Sequence, residues 1–224
     1  MKNHVRLLVA LALTTILALT ACSGGMAPSN AAVPDSLQAI EAAAEDIIDF
    51  APSDNWDKIN KDVTDIANAW KSYQPQAGKD GASQEIQDAM TSAVAKLQTA
   101  SAAKDAAGTM QGSNDVSEAV VEMFALYHPK VPADIGRLDV LERQVILDVA
   151  AKDYSAAKTS LAKTKSVWEV VKPSVLEHDG KDVAAEFDSS LATQESALSG
   201  KDDAALTDQA KNALEIVDAM EQLY

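Results

Sequence analysis

Apolar residues recur every three or four positions along most of the chain beyond residue 33. The first segment shows this spacing at Leu37, Ile40, Ala44 and Ile47, with acidic and small residues between them. Such a period places one apolar stripe on one face of an α-helix. The alternation typical of strands is nearly absent, so the sequence predicts an all-α fold. The pattern predicts eight helices, over residues 35–50, 53–73, 83–104, 115–126, 133–152, 154–172, 181–199 and 202–223.

The predicted helices are joined by links in which proline and glycine concentrate. Links as short as Lys152-Asp153 and Gly200 force neighbouring helices to run antiparallel, as in an up-down-up-down four-helix bundle. Proline interrupts the backbone hydrogen bonds of a helix, so we expect the second and sixth helices to end before Pro75 and Pro173. Residues 108–114 lack apolar periodicity and are predicted to form a longer, mobile loop.

The second half of the chain repeats the first at an offset of 97 or 98 residues. Trp70 aligns with Trp168, and an ordered series of apolar matches runs through the whole length with one single-residue slip. Self-similarity of this kind indicates duplication of a structural unit. We therefore predict two tandem homologous four-helix units, over residues 33–130 and 131–224, which either form separate bundles or share one core. Both tryptophans are expected in the core.

The N-terminal residues have a different character. Lys2 and Arg6 precede an almost unbroken aliphatic run, and small residues then lead to Cys22, the only cysteine. This is the layout of a secretory signal peptide. Its last four residues, Leu19-Thr20-Ala21-Cys22, resemble the lipobox of bacterial lipoproteins.

The resemblance to lipoproteins implies that residues 1–21 are removed and that the Cys22 thiol is acylated with diacylglycerol, whose chains include palmitate. Residues 22–32 are small, polar and proline-bearing and are expected to form a flexible tether. The protein is then expected in the cell envelope, lipid-anchored on the extracytoplasmic face of a bacterial membrane, either inner or outer. The alternatives are an ordinary cleaved signal, which needs no cysteine here, and an uncleaved anchor, which needs roughly 20 apolar residues.

The net charge of the chain limits the classes of partner that we expect. The chain carries 34 acidic and 19 basic side chains, and Lys2 and Arg6 are the only charged residues before Asp35. Loss of the leader therefore moves the net charge from −15 to −17. Nucleic acids and anionic lipid headgroups are bound through basic surfaces, so neither is expected. A lone cysteine also excludes an intramolecular disulfide.

Familiar catalytic and metal-binding motifs are missing from the sequence, including haem attachment, His-Glu-x-x-His and a glycine-rich phosphate loop. His128 and His178 are the only histidines after the leader, and both lie in predicted links. We interpret them as exposed loop residues. No catalytic residue, metal or cofactor is therefore expected.

Comparison of the two repeats reveals one candidate site. Glu142, Thr164 and Gln194 fall in the middle of apolar stripes, where the first repeat has Ala44, Ile66 and Leu97. Their positions along the helices agree to within about one turn, which predicts a buried polar layer in the second unit. Three interpretations stay open. The layer is a hydrogen-bonded network that fixes helix register, or a pocket for a small ligand or cation, or the helix face is assigned one residue out of place and Glu142 lies in solvent. Arg143 is expected on a flank.

These features predict a non-catalytic interaction or scaffold module, held to the lipid bilayer through Cys22, that meets another envelope protein. The alternative is a lipoprotein that binds a small ligand or metal ion in a pocket inside the second bundle. An enzyme is the weakest hypothesis, because Glu142 is a conceivable general acid or base but no second catalytic group is present.

Overall fold

A computed structural model describes residues 32–127 and 129–224, so the expected signal peptide, Cys22 and His128 lie outside the described residues. The described part is all-helical, as predicted, with a 3-10 turn at Ala51–Ser53 and no strand. The helices are α1 (Asp35–Phe50), α2 (Trp56–Ala77), α3 (Gln84–Ala102), α4 (Ala106–Phe124), α5 (Ala133–Ala150), α6 (Tyr154–Glu177), α7 (Lys181–Gly200) and α8 (Asp203–Glu221).

Three links between helices end in the same two residues, a lysine followed by an aspartate. The lysine adopts the left-handed conformation, with φ of 54°, 60° and 53° at Lys104, Lys152 and Lys201. The aspartate caps the next helix by accepting a hydrogen bond from the backbone N–H three residues on, at 3.1, 2.9 and 3.1 Å for Asp105, Asp153 and Asp202. Such caps satisfy amides that the first helical turn leaves unpaired.

The prediction of a loop at residues 108–114 is wrong, because these residues belong to α4. Gly112 and Ser113 are small, so α4 can approach its neighbours closely at these positions. A Cβ at Gly112 would lie 2.9 Å from the Leu97 Cα on α3. The Ser113 hydroxyl donates to the backbone carbonyl of Ala44 on α1 at 2.7 Å. Apolar periodicity is lost here because glycine and serine occupy buried positions that larger side chains fill elsewhere.

The two prolines do not end their helices as predicted. α2 continues through Pro75 to Ala77, and α6 continues through Pro173 to Glu177. In both helices the residue two positions after the proline, Ala77 or Val175, is fully buried. Burial of these residues favours the last turn and offsets the hydrogen bond that proline removes.

Buried apolar residues form two clusters. One contains residues between 37 and 127, where α1 and α3 each pack against α2 and α4. The other contains residues between 135 and 220, where α5 and α7 each pack against α6 and α8. α4 and α5 contact one another and connect the two sets of helices.

The aligned tryptophans lie in the core, as the sequence predicts. Trp70 and Trp168 are 4% and 1% exposed. Each indole N–H donates a hydrogen bond to a polar group at the edge of the core, Thr91 Oγ1 at 3.1 Å and Asp188 Oδ1 at 2.8 Å. The rings therefore fill apolar space while their one polar atom keeps a partner.

Candidate functional site

The structure buries all three residues of the candidate polar layer. Glu142 on α5, Thr164 on α6 and Gln194 on α7 each have 0% exposure. Helical periodicity brings them inward because they share stripes with core residues such as Leu138 and Leu161. A fully buried carboxyl among apolar side chains is uncommon in soluble proteins, so its hydrogen bonds decide what this layer does.

The buried layer is incompletely hydrogen-bonded. Within the part of the chain that the structure describes, neither carboxylate oxygen of Glu142 has a partner, and neither polar atom of the Gln194 amide has one. The Thr164 hydroxyl donates to the Ser160 carbonyl on its own helix at 3.1 Å. Thr164 therefore donates no hydrogen bond to Glu142, since its only proton is used elsewhere.

Burial changes the acidity of this carboxyl. Burial, together with the negative charge of Asp139, raises the pKa of Glu142 to about 8. Gln194 lies close enough to lower the pKa of Glu142, although no hydrogen bond of normal geometry joins the two side chains. Glu142 is therefore largely protonated at neutral pH.

A second titratable cluster lies where α1 and α5 approach each other. Arg143 points away from the second core, as its predicted flank position requires, and Nη2 donates to Glu45 Oε1 at 2.8 Å. The same guanidinium pairs with Asp139, one turn earlier on α5. Burial raises the pKa of Asp139 to about 7 and that of Glu41 to about 8, while the charge of Arg143 opposes both shifts.

Sequence reasoning missed Glu41 and Asp139, although a signal was present. The two residues correspond at the offset of 98, so both repeats carry an acidic residue at the same place beside the apolar stripe. Their environment also depends on Arg143 and Glu45, which are 98 residues apart and meet only in the folded protein. Helical wheels drawn for single helices do not contain such a contact.

A surface groove lies between α4, α5 and α6 and encloses about 420 Å³. Its edges carry Glu118 and Lys163, and a two-bond ion pair joins Arg137 to Glu122 with N···O distances of 2.7 and 3.1 Å. Beside it, Val170 on α6 is 67% exposed. Its floor and walls are largely apolar and include Val121, Val140, Leu141, Ala162 and Val167.

Comparisons with known proteins supply no relative for this chain. No family model, curated protein or solved structure matches it. Across residues 32–127 and 129–224, no helix has both the length and the hydropathy needed to span a membrane. The same residues contain no group of three or more histidine, cysteine or carboxylate ligands arranged to hold a metal ion.

Proposed function

We propose that this chain is a membrane-anchored extracytoplasmic lipoprotein that acts as a non-catalytic interaction module. The anchor is supported by Leu19-Thr20-Ala21-Cys22 and the basic and aliphatic residues before it. The observation that carries the interaction is the apolar groove between α4, α5 and α6. A concave apolar surface with charged residues around its edge is typical of sites where proteins dock.

We also propose that the chain consists of two tandem homologous four-helix units, residues 33–130 and 131–224. The offset of 97 or 98 supports this organisation, because it aligns the core tryptophans and two of the lysine-aspartate turns, at Lys104 and Lys201. The division of buried residues into two clusters gives further support. The groove then lies along the line where the units meet.

The proposed occupant of the groove is an amphipathic helix from another envelope protein, with a basic flank. Helices commonly bind by laying an apolar face into an apolar groove. The net charge of −17 after loss of the leader favours a basic partner, since opposite charge speeds encounter and disfavours acidic competitors. Glu118, exposed at the α4 edge of the groove, is positioned to face that basic flank.

Site-specific photo-crosslinking in the producing cell tests this proposal. The crosslinking residue is placed at Leu141 or Ala162, which both line the groove, and at Leu176 as a control, which is exposed on α6 but does not line the groove. We expect one envelope protein to be captured from both groove positions and not from the control. Its basic amphipathic helix is then tested for binding to the purified protein.

The binding experiment compares wild type with Leu141→Glu and with Leu176→Glu. We expect the first change to weaken binding at least about tenfold, because it places a carboxylate at an apolar contact, and the second to change little. Added salt should weaken wild-type binding. Equal binding by both variants, or crosslinks only to a second copy of this chain, would contradict the proposed partner.

The alternative function, a small-ligand or metal site inside the second bundle, is favoured by the four unpartnered atoms of Glu142 and Gln194. Native mass spectrometry with elemental analysis would detect an occupant. Protonation of Glu142 lets these four atoms form hydrogen bonds with one another, so no ligand is needed to explain them. We therefore place the interaction module first.

A further inference from the structure

Glu142 and Gln194 are two neighbouring, fully buried side chains whose four polar atoms all lack partners. If Glu142 is ionised, its two oxygens can only accept hydrogen bonds, and the Gln194 oxygen can only accept as well. The Gln194 Nε2 group is then the one donor for three acceptors. An ionised carboxylate is therefore poorly matched to this amide.

Protonation makes the two groups complementary. A neutral carboxyl has one O–H donor and one carbonyl acceptor, and a primary amide has one N–H donor and one carbonyl acceptor on the same edge. The Glu142 O–H can donate to Gln194 Oε1 while Gln194 Nε2 donates to the Glu142 carbonyl oxygen. Each of the four atoms then has a partner.

We propose that Glu142 is held protonated in the folded protein and pairs with Gln194 through two reciprocal hydrogen bonds. The pair links α5 to α7 across the second core. Loss of the proton leaves a carboxylate in an apolar environment and removes one of the two bonds. The pair is therefore a proton-dependent lock between two helices.

The surroundings of Glu142 favour the neutral form. On α5 itself, Asp139 adds a negative charge, and Arg143 points to the junction with α1. The helices around this layer carry their charges at exposed positions: Glu118 on α4, Lys163 and Lys165 on α6, Glu195 on α7 and Lys211 on α8. Lys165 and Glu195 also neutralise one another as an ion pair. The largely buried guanidinium of Arg143 pairs with Glu45 and Asp139, and among the described residues no cation lowers the pKa of Glu142.

The first repeat indicates that the lock is not needed for packing. At the aligned positions it carries Ala44 and Leu97, both fully buried apolar residues. A buried polar group usually costs stability relative to an apolar replacement of similar size. Packing alone therefore does not account for the polar pair in the second core.

Infrared spectroscopy and pH-dependent unfolding test the pair directly. The difference spectrum between wild type and Glu142→Gln should show the C=O band of a protonated carboxyl at pH 6 and lose it above about pH 8. Because the pKa of Glu142 is higher in the folded state, the folded protein binds one more proton than the unfolded chain at pH values between the two pKa values. Wild-type stability should therefore fall as pH rises from the unfolded pKa of about 4.3 to the folded pKa, and then level off.

Within that pH window, the equilibrium constant for unfolding should rise about tenfold per pH unit. Glu142→Gln carries a permanently neutral group of the same shape and should lack this component, whereas Glu41 and Asp139 contribute equally to both proteins. Gln194→Leu serves as a second variant, and removal of the amide should shift or weaken the carboxyl band.

Two results would overturn the proposal. The first is a carboxylate rather than a carboxyl signal from Glu142 at pH 6, in wild type measured beside either variant. The second is a bound metal or extra mass on wild type that Glu142→Gln lacks, because an occupant would then satisfy these atoms. Both results are independent of whether the groove binds a partner.

Discussion

Gly112 offers the sharpest test of the packing between α3 and α4. Replacing glycine by alanine inside a helix normally stabilises a protein by about 0.5–1 kcal/mol, because alanine loses less backbone entropy on folding. At Gly112 the new Cβ would lie 2.9 Å from Leu97 Cα and 3.0 Å from Leu97 N. These are backbone atoms of α3, so the clash is relieved only if the two helices move apart.

Forced movement of packed elements costs about 1–3 kcal/mol, which exceeds the gain in helix propensity. We expect Gly112→Ala to lower the free energy of unfolding by about 1–2 kcal/mol and, at roughly 2–4 °C per kcal/mol for a chain of this size, to lower Tm by several degrees. Gly200→Ala is the matched control, since nothing lies within 4 Å of its Cβ. It should stabilise by about 0.5 kcal/mol.

Thermal unfolding followed by circular dichroism measures both variants beside wild type. The two changes are chemically identical, so their difference isolates the contact with Leu97. If Gly112→Ala proved as stable as Gly200→Ala, the close approach of α3 and α4 would be wrong.

Three further predictions concern the junction and the anchor. Arg143→Met should lower the free energy of unfolding at pH 8 by about 1–3 kcal/mol, because Asp139 loses its buried counter-charge; in denaturant titrations the exposed control Lys96→Met should change little, and equal losses would refute the pairing. Folded-state pKa values of about 8 for Glu41 and about 7 for Asp139 mean that stability is lost as pH rises from about 4 to 8, by up to about 1.4 kcal/mol per unit for each carboxyl. Glu41→Gln should flatten part of that slope, and an unchanged profile would count against the shift. Cys22→Ala should move the protein from the detergent phase to the aqueous phase on detergent partitioning, whereas unchanged partitioning would exclude lipidation at this residue.

The sequence predicted the elements whose signals are local. The stripe at Leu37, Ile40, Ala44 and Ile47 gave α1 its correct bounds, since apolar period and helix length are properties of adjacent residues. The inward placement of Glu142 followed from the same logic. The end of α6 was misjudged because the effect of Pro173 was weighed without the burial of Val175, which depends on the whole fold.

Features formed by residues far apart in the sequence could not be predicted from local patterns. The start of α4 was placed nine residues late because Gly112 and Ser113 look like loop residues until Leu97 and Ala44 are seen beside them. The groove also needs three helices to be positioned before it exists.

The positions of the lysine-aspartate turns bear on the orientation that the proposed lipid anchor would give the protein. Successive antiparallel helices return the chain to its starting end after every even-numbered helix, so Val33 and the last residue, Tyr224, lie at the same end. Val33, Pro132 and Glu221 do line one common cavity. The turns at Lys104, Lys152 and Lys201 all lie at the other end. If Cys22 carries the proposed lipid anchor, the chain enters the helical part at the end opposite these turns, and the length of the helices sets how far the turns can lie from the lipid.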